Sequence, residues 1–409
     1  MPTRPRSYPK RNHFLGNTTR MGLRHRVARS TPALRFRIYP SRMDELLSLA
    51  EQLIGYDTSS EDGVHEASGF VKGWLDSRGV ETMQSNCRGF PVITAAYGRK
   101  TDPTVIFHGH IDVVPAEPGQ FEARVEGERL YGRGAYDMKA ALAAMMLALP
   151  TDESPVSGLR VVLAIVSDEE SEEAEERGSN HLVRPASAGG IGLSGDFAIT
   201  GEPTDMHVGV AAKGVLGLRL TVAGRAAHGS TPWLGENAIL RAVDMFRGVE
   251  SLPFARESSE LFDRPSINLG RIWGGDALNK VPDSCAIDVD IRYLPHQSPS
   301  EIRQQIAGLG GARMETIIEL PPVCGGSTDS SWIRALTRAA SEYHEGPSLS
   351  VGRDGASDAV FFIRAGIPAV EFGPVGAGHH GPEEWVSVPS LIAYRSALRE
   401  FLKQAALRG

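Results

Sequence analysis

The segment His108-Gly-His110-Ile-Asp112-Val-Val-Pro115 follows the apolar run Thr104-Val-Ile-Phe107, and sets an imidazole and a carboxylate two residues apart on a chain that reads as extended. At the two-residue period of a strand, both side chains leave the same face. Asp137, the pair Glu169-Glu170, Glu202 and His380 follow, each just past a strand-like run or at a glycine-rich turn. Imidazole nitrogen and carboxylate oxygen are the donors of catalytic zinc, whereas thiolates mark structural sites. Two His, one Asp and two Glu without a Cys therefore suit a pair of catalytic Zn²⁺ ions, or Co²⁺ or Mn²⁺ in their place, and the chemistry they point to is hydrolysis. Each residue alone has a plainer role open to it. His110 could be a core histidine, Asp137 the N-cap of a helix from Met138 to Leu149, Glu169 and Glu170 part of the solvated acidic run 168–173, and His380 a loop residue.

Such donors converge only if the chain brings distant loops to one end of a sheet. From Met43 to about Val210 the pattern alternates helices (near 43–54, 64–78 and 138–149) with apolar strands (near 91–97, 104–110, 160–166 and 196–200). That alternation predicts an α/β fold with a mostly parallel sheet, in which ligand residues sit beyond the carboxyl ends of strands. Between about 211 and 322 the rhythm becomes strand (214–223), helix (237–249), two strands (266–273 and 284–293) and helix (300–309), an α+β pattern with helices on one face of an antiparallel sheet. A helix at 330–343, another at 359–365 and a short strand at 367–372 resume the first pattern. The expected organisation is a catalytic, metal-binding domain of residues 43–210 and 323–409, with 211–322 inserted as a lid.

Composition bounds the rest. With 409 residues, 41% hydrophobic and 23% charged, the chain is globular and long enough for two domains of about 100 to 200 residues each. Residues 1–42 hold eleven Arg and Lys and no acid, leaving 32 basic against 50 acidic groups in the body. The body is therefore acidic, and no nucleic-acid partner is expected. The basic leader has the composition of an organellar transit peptide or of a disordered tail ahead of a second start at Met43; in either case it adds nothing to the core. No run of about 18 apolar residues exists, so no membrane partner is expected. Three scattered cysteines, Cys87, Cys285 and Cys324, disfavour a disulfide scaffold and suggest the cytoplasm.

Five ordered motifs together, His108 to Pro115, Gly132-Arg-Gly-Ala-Tyr-Asp-Met-Lys139, Ser167-Asp-Glu-Glu170, Gly201-Glu-Pro-Thr204 and His380-Gly-Pro-Glu-Glu384, resemble the co-catalytic zinc deacylases and carboxypeptidases. That family includes acetylornithine deacetylase, succinyl-diaminopimelate desuccinylase, aminoacylase and glutamate carboxypeptidases. The resemblance spans Met43 to the C-terminus. It implies one metal held by His110, Asp137 and Glu202, a second held by Asp137, Glu170 and His380, Glu169 as general base, and Asp112 as the partner that orients His110. Three carboxylates and a bridging hydroxide then neutralise two divalent cations, and the bound water ionises near neutral pH. His108 competes with His110, and the placement of Asp112 favours the latter; His379 competes with His380, which the spacing to Glu384 favours. Ala140 stands where relatives often have Gly, and the acidic stretch 171–176 delays the pair Gly178-Ser179.

In the middle region, Gly224-Arg-Ala-Ala-His228-Gly-Ser-Thr-Pro232, Gly274-Gly-Asp-Ala-Leu-Asn279 and Asp290-Ile-Arg292 resemble the lid motifs of the same family. The resemblance implies that His228 polarises the scissile carbonyl, in some relatives across a homodimer formed through the lid, and that Asn279 and Arg292 hold a substrate carboxylate. The loop Gly355-Ala-Ser357-Asp-Ala359 resembles the family's carboxylate-binding loop, with Ser357 or Asp358 also open to an N-cap role. The expected substrate is a small N-acyl amino acid and the expected enzyme an amidohydrolase of amino-acid biosynthesis. The string from Ile267 to Asn279 looks more like acetylornithine deacetylases than desuccinylases, which puts acetylornithine first, a desuccinylase second and a metallocarboxypeptidase after it.

Overall fold

A computed structural model describes residues 43–407 except 153, 171–176, 325–329 and 345–347. The basic leader 1–42 and the acidic stretch 171–176 thus lie outside the described residues. The first part of the chain runs α1 (Met43–Ile54), α2 (Glu61–Asp76), β1 (Glu81–Cys87), β2 (Phe90–Tyr97), β3 (Thr104–His110), β4 (Arg124–Glu126), β5 (Arg129–Tyr131), α3 (Lys139–Ala148), β6 (Arg160–Val166), α4 (Gly178–Val183), β7 (Phe197–Thr200) and β8 (Val208–Ala212). The middle adds β9 (Gly214–Ala223), α5 (Ala238–Glu250), β10 (Ser266–Gly274), β11 (Ser284–Tyr293), α6 (Pro299–Gly308) and β12 (Ala312–Leu320). The last part adds β13 (Val323–Cys324), α7 (Ser331–Tyr343), β14 (Ser350–Arg353), α8 (Ala359–Arg364), β15 (Ala369–Glu371), β16 (Gly376–Ala377), β17 (Trp385–Ser387) and α9 (Val388–Ala406).

The principal sheet has the order β1-β2-β6-β3-β7-β15-β8-β13, with β14 beside β8. Its centre, β6-β3-β7-β15, is parallel, while β1, β2 and β13 join antiparallel. Apolar side chains on both faces explain the central strands: every residue of β3 is buried, as parallel strands covered by helices on both sides require. One face packs on α1, α3, α7 and α9, the other on α4 and α8. Apart from its first residue, Lys139, the helix α3, KAALAAMMLA, is apolar and buried almost all round.

Between β8 and β13 the chain leaves this sheet and builds a second one, β10-β11-β9-β12, antiparallel throughout. Strands β9 and β11 bury alternate residues against α5 and α6 around Leu216, Leu218, Ile287, Ile291 and Ile302. A third, small sheet, β16-β17-β5-β4, joins the C-terminal loops to the loop before α3. The edge strands β1 and β12 are largely exposed and lack an apolar alternation, so pairing with β2 and β9 defines them, not composition. Among the described residues no helix is long and apolar enough to cross a membrane. None of the three cysteines is in a disulfide.

Candidate metal centre

Strands β6, β3 and β7 are neighbours, and three of the expected ligands leave their carboxyl ends. His110 is the last residue of β3, Glu169 and Glu170 follow β6, and Glu202 follows β7. Asp137 comes from the loop ahead of α3, and His380 from the turn between β16 and β17. Glycines let these elements close up: a Cβ on Gly109 would meet Met138 Cε at 2.5 Å, and one on Gly201 would meet the same atom at 2.4 Å. Met138 thus reaches between the ends of β3 and β7, and both glycines leave room for its methyl group. The Asp137–Met138 peptide is cis. His380 has φ 62°, a region rarely taken by a residue with a side chain, and a Gly381 N–H to Gly378 carbonyl bond of 2.8 Å closes its turn.

The donor atoms form two groups that share Asp137. His110, Asp137 and Glu202 present ligand atoms within 4.8 Å of one another, and so do Asp137, Glu170 and His380. In the first, His110 Nε2 is 3.3 Å from Asp137 Oδ1 and 3.7 Å from Glu202 Oε1. In the second, His380 Nε2 is 3.0 Å from Glu170 Oε1 and 3.5 Å from Asp137 Oδ2. One oxygen of Asp137 faces each imidazole. Glu169 joins a third such group with His110 and Glu170. Burial is graded, from His110 at 1% side-chain exposure to His380 at 49%, so the second group lies toward the mouth.

The residues fit divalent cations. Nitrogen and oxygen donors about 2.0 to 2.1 Å from a tetrahedral cation stand about 3.3 Å apart, close to the four separations above. Electrostatics agree, because the pocket calls for positive charge. Burial depresses His110, yet Asp112, Asp137 and Glu202 outweigh it and hold the imidazole well above its usual range. Asp137 and Glu170 raise His380 to about 10. Burial alone would raise Asp137, but His110 and His380 pull it below the ordinary carboxylate range. Glu202 is pushed up by burial and by Asp137, and Glu169 to about 8 by burial with Asp358 adding and Arg177 opposing.

Other expected residues fall differently. His108 is fully buried, with Nε2 2.9 Å from Ser179 Oγ and its ring edge-on to Phe362 at 5.1 Å, and burial lowers it to about 4. It is a neutral core histidine, one strand step deeper than the cluster. His379 packs against Tyr136 at 5.9 Å. The Nδ1 of His110 is 3.0 Å from the main-chain oxygen of Asp112 and 3.5 Å from its Oδ1. The carbonyl is therefore the hydrogen-bond acceptor that orients the ring, while Asp112 Oδ2 accepts the Glu170 N–H at 2.8 Å. The reason is that β3 ends at His110, so the strand period no longer governs where Asp112 points. Met138, not Asp137, takes the N-cap position of α3. The described bonds of the residues expected in the lid stay within their own region. His228 is exposed with Nδ1 2.8 Å from Ser230 Oγ, exposed Asn279 accepts the Gly229 N–H through its main chain at 2.6 Å, and Arg292 pairs with Asp290 at 3.0 Å. Gly355 is exposed, and Ser357 Oγ accepts the Ala359 N–H at 3.2 Å, closing the start of the six-residue α8. Asp358 does not cap, because its carboxylate engages Arg177 and Ser179.

A set of positioning groups was not anticipated. Glu384 is buried, accepting the N–H groups of Tyr136 at 2.9 Å and Asp137 at 3.0 Å through Oε1 and Arg133 Nη1 at 2.6 Å through Oε2. It ties the Asp137 loop to the His380 loop. Buried Lys139 donates to the Tyr56 carbonyl at 2.7 Å. The signal available in sequence was charged residues embedded in glycine-rich, apolar surroundings, as in Gly132-Arg-Gly134. Glu384→Gln is expected to cost about 3 to 5 kcal/mol in denaturant unfolding, because Arg133 is left charged and buried at 3% exposure. An unchanged unfolding midpoint would show that the pair carries no such strain.

The model of Peptidase family M20/M25/M40 matches residues 106–404, and the chain belongs to that family. It is a metal-dependent hydrolase acting on amide bonds. A succinyl-diaminopimelate desuccinylase of Caulobacter sp. strain K31 is 31% identical over 339 residues, 77% of this chain and 85% of that one. Among solved structures, an M20 family metallo-carboxypeptidase of Sulfolobus solfataricus superposes with a TM-score of 0.73 at 20% identity, over 89% of this chain and all of that one. The YXEP protein of Bacillus subtilis, described as a dinuclear metal binding peptidase of the M20 family, superposes with a TM-score of 0.64 at 16% identity, over 89% of this chain and 98% of that one.

Proposed function

We propose that the protein is a deacylase that removes an acyl group from an N-acyl amino acid, with an N-succinyl amino acid of the diaminopimelate type ahead of acetylornithine. The observation that carries the deacylase reading is the pair of donor groups sharing Asp137, with Glu169 beside them. The preference for succinyl rests on relatives such as the Caulobacter desuccinylase. His110, Asp137 and Glu202 hold one divalent cation, and Asp137, Glu170 and His380 the other, with zinc the first choice and cobalt or manganese as substitutes. Bound there, the cations supply Lewis acidity and lower the pKa of a captured water. Glu169 accepts the proton of that water and passes it to the leaving nitrogen, a shuttle typically worth about 10² to 10⁴-fold. Region 211–322 acts as the lid: His228 donates to the carbonyl oxygen, and Asn279, Arg292 and the Gly355–Ser357 loop take the amino-acid carboxylate. The described bonds of His228, Asn279 and Arg292 stay within their own region, which supports lid closure as a step of the cycle. The exposed apolar side chains Trp233, Leu234, Ile272, Trp273 and Leu278 on that region support a homodimer through it, in a cytoplasmic enzyme of amino-acid biosynthesis.

A succinyl group needs a cation for its distal carboxylate. Arg353 is suited to that part: its Nε is held by Glu371 at 3.0 Å, its side chain is one-third exposed, and its charge acts on Glu202. Arg353→Met is expected to lower kcat/KM for the succinyl substrate at least tenfold more than for the acetyl one, the order of a charged hydrogen bond of about 1.5 to 3 kcal/mol. Equal losses on both substrates would remove Arg353 from acyl selection. The test of function is kcat/KM across N-succinyl-diaminopimelate, acetylornithine, acyl-glutamates and dipeptides, with zinc and with cobalt. Highest values for a dipeptide would make it a carboxypeptidase, and tight metal binding with no turnover of any amide would make it a binding protein.

A further inference from the structure

The carboxylate of Glu169 is clamped from outside the metal cluster. Arg177 Nη1 lies 3.0 Å from Glu169 Oε1 and 3.3 Å from Asp358 Oδ1. Asp358 is 1% exposed, and its other oxygen accepts the hydroxyl of fully buried Ser179, whose Oγ is 2.9 Å from His108 Nε2. The chain from Glu169 through Arg177, Asp358 and Ser179 to His108 is therefore anchored on α8, α4 and the middle of β3. Residues of these three elements pack in one apolar cluster.

We propose that Arg177 is a positioning residue for the base, holding Glu169 Oε1 so that Oε2 faces the reacting water. The inference rests on the reading of Glu169 as general base. A glutamate side chain has three rotatable bonds to fix. A guanidinium is planar and its N–H directions are fixed, so Nη1, held on Asp358 by one bond, holds the Glu169 oxygen with the other. A lysine ammonium has the charge without the fixed directions. This gives His108 and Asp358 a use that metal binding does not, since both support the clamp without touching the donor groups.

The test uses the full chain loaded with zinc. Arg177→Met is expected to lower kcat by about 10²-fold, the cost of a misplacement of about 1 Å, with KM and bound metal unchanged. Arg177→Lys, which keeps the buried charge and guards against misfolding, is expected to recover only part of the rate. In a Glu169→Gln background the Arg177 substitutions are expected to add no further loss. A loss of the same size in that background, or full recovery by Lys, overturns the proposal. A crystal structure of the zinc-loaded Arg177→Lys variant supplies a reading independent of turnover: the Glu169 carboxylate is expected to shift by about 1 Å or lose its order, and an unmoved carboxylate overturns the clamp. If the unaltered enzyme hydrolyses no amide, the functional reading fails while the crystallographic result still decides this one.

Discussion

Glu169→Gln is expected to keep both metals and lose about 10² to 10⁴ in kcat, with KM nearly unchanged. Glutamine has the volume of glutamate, and its amide oxygen can still accept the Arg177 hydrogen bond now made at 3.0 Å. What it lacks is a site for the proton. Because the change removes a group needed only while the water is deprotonated and the nitrogen protonated, it acts on the transition state and not on substrate binding. Steady-state kinetics with metal analysis of the same sample checks both halves. A rate equal to that of the unaltered enzyme removes Glu169 from the mechanism, and loss of metal moves it among the ligands.

The second large effect is expected at Asp137. It alone stands in both proposed ligand sets, with one oxygen 3.3 Å from His110 Nε2 and the other 3.5 Å from His380 Nε2. Asp137→Ala therefore removes a donor from each cation at once. Loss of a group that merely orients a ligand costs about 10 to 100-fold in metal affinity or activity, and loss of a shared donor is expected to exceed that. Calorimetric zinc titration should show the weaker site abolished, and turnover should fall below detection. Retention of two tight zinc sites would mean that the two groups are independent, and the shared-aspartate arrangement would have to be given up. Asn at this position should behave better than Ala but short of Asp, since an amide offers one neutral oxygen where two charged ones are needed.

The two substitutions probe different links. Glu384, which accepts the N–H groups of Tyr136 and Asp137, acts through backbone placement, so its loss registers first as stability. Asp137 acts through its own oxygens, so its loss registers as metal. Glu169 does neither, and its loss registers as rate alone. Observing these three signatures separately would be hard to reconcile with any arrangement in which the cluster is only a structural salt-bridge network.

Much of this was readable from residue types and order. Apolar runs of strand length alternating with helical periods specify a parallel α/β core, because a strand covered on both faces must be apolar on both, as β3 is. Donor chemistry was legible too, since imidazoles and carboxylates without thiols narrow the choice to hydrolytic metal chemistry, and their position just past apolar runs puts them at strand ends. Tertiary packing resolved the duplicated histidines. His108 and His110 share a face, but α4 and α8 cover the first with Ser179 and Phe362, while the second emerges at the strand end. Packing also set the Asp112 orientation, the Glu384 anchor and the clamp of Arg177 and Asp358, which joins residues 181 positions apart. Local sequence encodes period, propensity and donor type. A partner contributed by a distant element depends on how the layers stack, and no spacing along the chain carries that information.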